Sequence, residues 1–166
     1  MVLIEIDDPQ RVDVRRLLDE HLADMFATSP ADSVHALEHS ALSGHEVTFW
    51  TAREGGQLLS CGALKQLGPA QGEVKSMRTT ADARGRGMAA LLLEHLVAEA
   101  RRRRYTCLYL ETGSDEFFAP ARRLYARHGF TQCPPFGPYV PDPHSVFMQL
   151  DLRNVAPPPV RNQGEP

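Results

Sequence analysis

The sequence lacks the marks of a membrane, fibrous or disulfide-held protein. No apolar run approaches the roughly 20 residues of a bilayer span, and the amino terminus carries no secretory leader pattern. Cysteine is scarce. Cys61, Cys107 and Cys133 are odd in number, widely spaced, and lie in or beside predicted strands. They read as buried thiols of a reducing compartment, not as a disulfide framework or a zinc site. Neither sign of charge dominates, since 18 Lys and Arg stand against 21 Asp and Glu for a net charge of -3. A general attraction to nucleic acid or acidic lipid is thereby excluded. No internal repeat is present. What remains is one soluble cytoplasmic domain: 166 residues, 42% hydrophobic and 23% charged, suffice for a single core and are too few for two.

The pattern of apolar residues orders the chain. Val2 to Ile6 is a short strand stopped by Asp7-Asp8-Pro9. From Val12 to Phe26 the residues Val14, Leu17, Leu18, Leu22 and Met25 recur at helical spacing. Ser29-Pro30-Ala31-Asp32 has the form of a capped helix start, which predicts a second helix running to about Leu42 and ending at Gly44. Residues 47–53 and 58–67 are strand-like and joined by Gly55-Gly56, a hairpin signal. A third strand runs from about Glu73 to Thr79, then a helix from Met88 to Arg104, a buried strand at 107–110 and a helix from Ala119 to Arg127. Short strands at 130–133 and 145–152 complete the order. The result is a mixed α/β layout, order β-α-α-β-β-β-α-β-α-β-β, with a mostly antiparallel seven-stranded sheet and about four helices. A right-handed crossover joins the third meander strand to the strand at Leu108. Residues 1–152 form the domain, and 153–166, with Pro157-Pro158-Pro159, a flexible tail.

Arg84-Gly85-Arg86-Gly87-Met88-Ala89 lies between a strand and a helix. A loop entering a helix presents unpaired N–H groups and the positive end of the dipole. Gly85 and Gly87 remove side chains that would block an anion, and Arg84 and Arg86 add positive charge. A ligand-free glycine-rich helix start is the plain alternative. A dinucleotide fingerprint is another, since Gly85, Gly87 and Ala90 fit G-x-G-x-x-A with Glu111 at the next strand end. That fold, however, opens with this unit and continues as strand–helix alternation, whereas a meander precedes the loop here.

A third reading rests on likeness. Arg84-x-x-Gly87-x-Ala89 resembles the Q/R-x-x-G-x-G/A loop of the GNAT superfamily of N-acetyltransferases. Glu73 to Thr79 looks like the family's fourth strand, and Ala121-x-x-Leu124-Tyr125-x-x-x-Gly129-Phe130 is similar to its A-x-x-L-Y-x-x-x-G-F signature. The segments Ser29-Pro30-x-x-Ser33-Val34-His35-Ala36-Leu37 and Phe136-Gly137-Pro138-Tyr139-x-x-Asp142-Pro143-x-Ser145-Val146 resemble a bacterial YsnE-type subgroup.

The resemblance implies acetyl transfer from acetyl-coenzyme A to the primary amine of a small molecule, with no metal. The pyrophosphate would lie on Arg84 to Ala89, and the pantetheine arm along the backbone of Met77, Arg78 and Thr79 in a gap between strands. Tyr125 would protonate the departing thiolate. Glu73 would take the amine proton through water, or else face solvent or pair with Lys75. Alternation places Glu73, Lys75, Met77 and Thr79 on one face of the strand. The family pattern has an asparagine seven residues before the tyrosine, where this chain has Phe118.

By the same likeness Ser33, His35, Tyr139, Asp142 and His144 build the acceptor pocket, in part on a proline-rich loop that is stiff or merely a stapled crossover. A non-catalytic acetyl-coenzyme A sensor is the alternative function, and a homodimer is compatible with the resemblance. Arg101 to Arg104 reads as a solvated helix end, since cations complement the dipole there. His35 and His39, one turn apart, lack the H-E-x-x-H pattern of a metal helix.

Overall fold

A computed structural model describes residues 1–35 and 40–153. Ten elements follow in chain order: β1 (Val2–Ile6), α1 (Val12–Thr28), β2 (Val47–Glu54), β3 (Gln57–Gly68), β4 (Gln71–Thr79), α2 (Met88–Arg102), β5 (Cys107–Gly113), α3 (Ala119–Arg127), β6 (Thr131–Gln132) and β7 (Ser145–Asp151). The strands form one sheet in the order β1-β2-β3-β4-β5-β7-β6. Only β4 and β5 run parallel, with α2 as their crossover; the other neighbours are antiparallel. A doubly wound dinucleotide-binding sheet is parallel throughout its core, so the fingerprint reading of the glycine loop does not match this topology.

Alternation along the strands sends apolar side chains to both faces. Trp50, Leu64, Val74, Leu108 and Leu110 pack with Leu92, Leu93 and Leu96 of α2 and with Leu124 of α3. On the opposite face Phe49, Cys61 and Ala63 pack under Val14, Leu17 and Leu18 of α1. Each fully buried leucine contributes about 1.5–3 kcal/mol, so these two layers hold the sheet between its helices. Gly55 and Gly56, at φ 55° and 82°, form the β2–β3 turn, a conformation that suits glycine. No helix among the described residues is long and apolar enough to cross a membrane.

Among the described residues there are three α-helices, not the expected four or so, and the predicted second helix is corrected. α1 runs to Thr28, and Ser29 and Pro30 are extended at ψ 149° and 148°. A single 3-10 turn follows at Ala31–Ser33, after which Val34 is extended again. Pro30 forces the residue before it out of the helical region, and the Ser29 side chain makes no cap. Another 3-10 turn occupies Ala41–Ser43. The part of the predicted helix at 36–39, with His39, and the predicted tail from residue 154 lie outside the described residues.

Alternation along β4 also fails locally. Cys61 pairs with Arg78 and Ala63 with Lys75, so two residues of β4 oppose Gly62 alone. Ser76 takes the strain of this bulge, at φ 56°. Beyond it Met77 turns to the α2 side, packing against the core that holds Leu92 and Leu96. Glu73 and Lys75 therefore share a face that Met77 does not.

Candidate active site

β4 and β5 begin as a parallel pair and then part. Their register covers Gln71 with Cys107, Gly72 with Leu108 and Glu73 with Tyr109. Past that point β4 continues to Thr79 and β5 to Gly113 without further pairing to each other. The gap so opened carries unpaired strand edges, and two cavities meet in it.

The larger is a cleft with about 1000 Å³ of open space, walled by Met77, Arg78, Thr79, Arg84, Ala89 and Phe117 among others. At its far end Gly87 caps α2 from the left-handed region, φ 78° and ψ 15°, with no side-chain cap. The first helical bond there runs from the Leu91 N–H to the Gly87 carbonyl, so the N–H groups of Met88, Ala89 and Ala90 point out of the helix start. A Cβ at Gly85 or Gly87 would meet nothing within the chain; both positions need glycine for their positive φ and leave open space where an anion can approach. Arg84 lines the cleft, whereas Arg86 is drawn aside to Glu54 at 3.0 Å.

The second cavity, with about 570 Å³ of open space, is walled by Glu73, Lys75, Ser76, Glu111, Thr112, His35 and Met25. His21, Met77, Phe118, Ala121 and Tyr125 line both spaces, so Tyr125 stands where they join. Arg122 Nη1 donates to the carbonyls of Gly113 and Asp115, at 2.6 and 3.0 Å, and so holds α3 against the end of β5. Tyr125 is only 8% exposed. Burial, assisted by the nearby Glu111 carboxylate, pushes its phenol up to about 12, so it holds its proton through the physiological range. Phe118 makes the shared wall apolar and packs directly on Gly113, where the family pattern has an amide.

Glu73 is 3% exposed. Its Oε2 accepts from the Tyr139 hydroxyl at 2.6 Å and from Lys75 Nζ at 3.2 Å. Lys75 also donates to the Tyr139 oxygen at 2.9 Å and to the His35 carbonyl at 3.2 Å. Partial burial, and then the Glu73 carboxylate, push the Tyr139 phenol upward. Of the two bland readings of Glu73, pairing with Lys75 is present and exposure is not.

The five residues nominated for the acceptor pocket separate. His35 lines the cavity, with its ring edge-on to Tyr139 at 5.0 Å. Tyr139 stands behind Glu73 and Lys75. Ser33 and the His144 N–H both hold the Asp142 carboxyl below its usual range, beside His35. The His144 ring is exposed, and only its main chain joins the group. Periodicity missed Glu111, His21 and Ser76. Burial pushes Glu111 up to about 7. Burial, with Arg78 adding to it, pulls His21 down to about 4, so its ring is neutral. Ser76 Oγ and Arg78 Nε are buried without a hydrogen-bond partner. Glu111 had a sequence signal only as an acidic strand end; that it faces Tyr125 depends on the gap.

Residues 14–130 match the model of the acetyltransferase (GNAT) family. The chain is 50% identical to the uncharacterized N-acetyltransferase YsnE of Bacillus subtilis (strain 168) over 149 residues, 90% of this chain and 99% of that one. An IAA acetyltransferase of Azospirillum brasilense is 39% identical over 136 residues, 81% of this chain and 86% of its own. Among solved structures, a Klebsiella pneumoniae protein described provisionally as an acyl-CoA N-acyltransferase superimposes with a TM-score of 0.74 at 29% identity, over 92% of this chain and 98% of that one.

Proposed function

The chain belongs to the GNAT family of acetyltransferases, acting on acyl-coenzyme A, and from this premise we propose that it acetylates the primary amine of a small molecule by direct attack on acetyl-coenzyme A. One observation carries the reading: the cleft that ends at the glycine loop opens, past Tyr125, into a polar cavity walled by carboxylates.

In this reading the pyrophosphate lies on the N–H groups at the start of α2, with Arg84 beside it. The pantetheine arm runs along the β4 edge at Met77, Arg78 and Thr79 and completes the parted sheet as an added strand. The thioester then sits at the junction of the two spaces. There a strand N–H can stabilise the oxyanion, and the Tyr125 hydroxyl can deliver its proton to the thiolate. Glu73, Glu111 and Asp142 against Lys75 leave the acceptor side acidic, which suits an ammonium group. His21 and Met25 of α1, together with His35, wall that side, which favours a compact acceptor over a side chain presented by a folded protein.

Calorimetry with acetyl-coenzyme A, then thiol release across a panel of small amines, tests this directly. Tyr125→Phe is expected to lower kcat by about 10²–10³ with acetyl-coenzyme A binding unchanged. The absence of binding heat refutes the cofactor assignment. Turnover confined to a protein or peptide amine refutes the acceptor class.

A further inference from the structure

We infer that Glu111, rather than Glu73, is the base that takes the proton from the incoming ammonium, and that Glu73 positions the wall behind it. The inference rests on the acetyl transfer proposed above. Glu111 lies two residues past the last β4–β5 pair, where the strands have parted, and lines the same cavity as Tyr125. It shares the strand face of Tyr109, opposite the one that Leu108 and Leu110 bury against α2 and α3, and so looks toward the acceptor side.

Glu73 is engaged elsewhere. Its Oε2 already accepts from Tyr139 and Lys75. The oxygen that would take a proton is thus already occupied by two donors. The Glu73–Lys75–Tyr139 group, tied to the His35 carbonyl, instead joins β4 to the segments that carry His35 and Tyr139.

The surroundings of Glu111 suit a base working near neutrality. Burial raises it to about 7; Glu73 on β4 and Asp142 on the loop before β7 push the same way, while Lys75 and Ser145 oppose them. Tyr125 on α3 and Tyr139 also face it, each held protonated in part by its charge. One carboxylate thus waits for a proton while the phenol across the junction keeps one.

The protons balance. R–NH3⁺ gives one to Glu111, and the neutral nitrogen attacks the thioester carbon. The C–N bond forms, the C–S bond breaks, and the thiolate takes the Tyr125 proton. The second nitrogen proton restores Tyr125, and Glu111 releases its own to solvent.

Two measurements test this. In protein labelled with ¹³C at glutamate carboxyls, one resonance should titrate near pH 7, vanish in Glu111→Gln and persist in Glu73→Gln. Turnover of acetyl-coenzyme A is then followed with ethylamine, largely protonated at neutral pH, and with hydroxylamine, largely neutral. Glu111→Gln is expected to lose on the order of 10²-fold or more in kcat/KM with ethylamine and much less with hydroxylamine. Glu111→Asp, which keeps a carboxyl, should recover part of the loss. A Glu111 midpoint in the ordinary carboxyl range, or equal losses on both amines, overturns the assignment. Should neither amine react, the titration decides alone. Absence of binding heat with acetyl-coenzyme A instead overturns the proposed function, so the two failures are separable.

Discussion

Replacing Glu111 by glutamine should stabilise the protein at alkaline pH and do little at acid pH. The folded state raises this carboxyl from 4.5 to about 7, chiefly through burial. Between those values the folded chain binds a proton that the unfolded chain has released, so stability falls as pH rises through the window. The shift corresponds to roughly 3 kcal/mol, and the side chain's partial exposure lowers the working figure to about 2–3 kcal/mol. Glutamine keeps the shape and removes the titration, while Lys75 retains Glu73 as its partner and is not orphaned. Urea unfolding of both proteins at about pH 5 and about pH 8.5 reads the effect. The advantage of Glu111→Gln should grow by about 2 kcal/mol between the two, since part of the effect is already present at pH 5, and this is several degrees in Tm for a domain of this size. A stability difference that stays flat across the window would refute the claim that burial holds this carboxyl near neutrality.

Three further substitutions test the frame of the site. Gly113→Ala drives a methyl into the Phe118 ring, which lines both cavities; it should cost about 1–3 kcal/mol in urea unfolding and weaken acetyl-coenzyme A binding in calorimetry. Gly87→Ala meets no neighbour, so its positive φ alone should cost about 1–2 kcal/mol, while the loss of acetyl-coenzyme A affinity should exceed what that strain explains. Burial raises the Asp7 carboxyl, but the Thr51 hydroxyl, the Asp8 N–H, Arg53 and Arg11 together pull it down to about 2. Asp7→Asn should therefore cost about 2 kcal/mol near neutral pH, a gap that closes as acid carries the wild type from about pH 4 toward pH 2.

Local physics was legible in the chain from the start. Residues 84–89 spell a helix start with glycines where positive φ is needed, and Gly85 and Gly87 adopt it at 78°. Likewise Leu92, Leu93 and Leu96 announce their buried stripe through spacing, and Gly55-Gly56 its turn. The Ser29–Asp32 segment misled for an equally local reason. A capping sequence also fits a proline-bounded extended link, and the neighbours of Ser33 and His35 come from far along the chain.

The sequence by itself determined the succession of the strands, the glycine turn at the start of α2 and Tyr125 on its helix, because each depends on residues a few positions apart. Only the tertiary structure decided how the two carboxylates that wall the second cavity are engaged. Glu73 is drawn into Lys75 and Tyr139, 66 residues away from the latter, and a bulge at Ser76 turns Met77 to the other face. Glu111 gains its place because β5 leaves β4 just before it. Strand divergence and the low-polarity surroundings that shift a proton equilibrium are properties of packing between distant segments, and no local pattern encodes them.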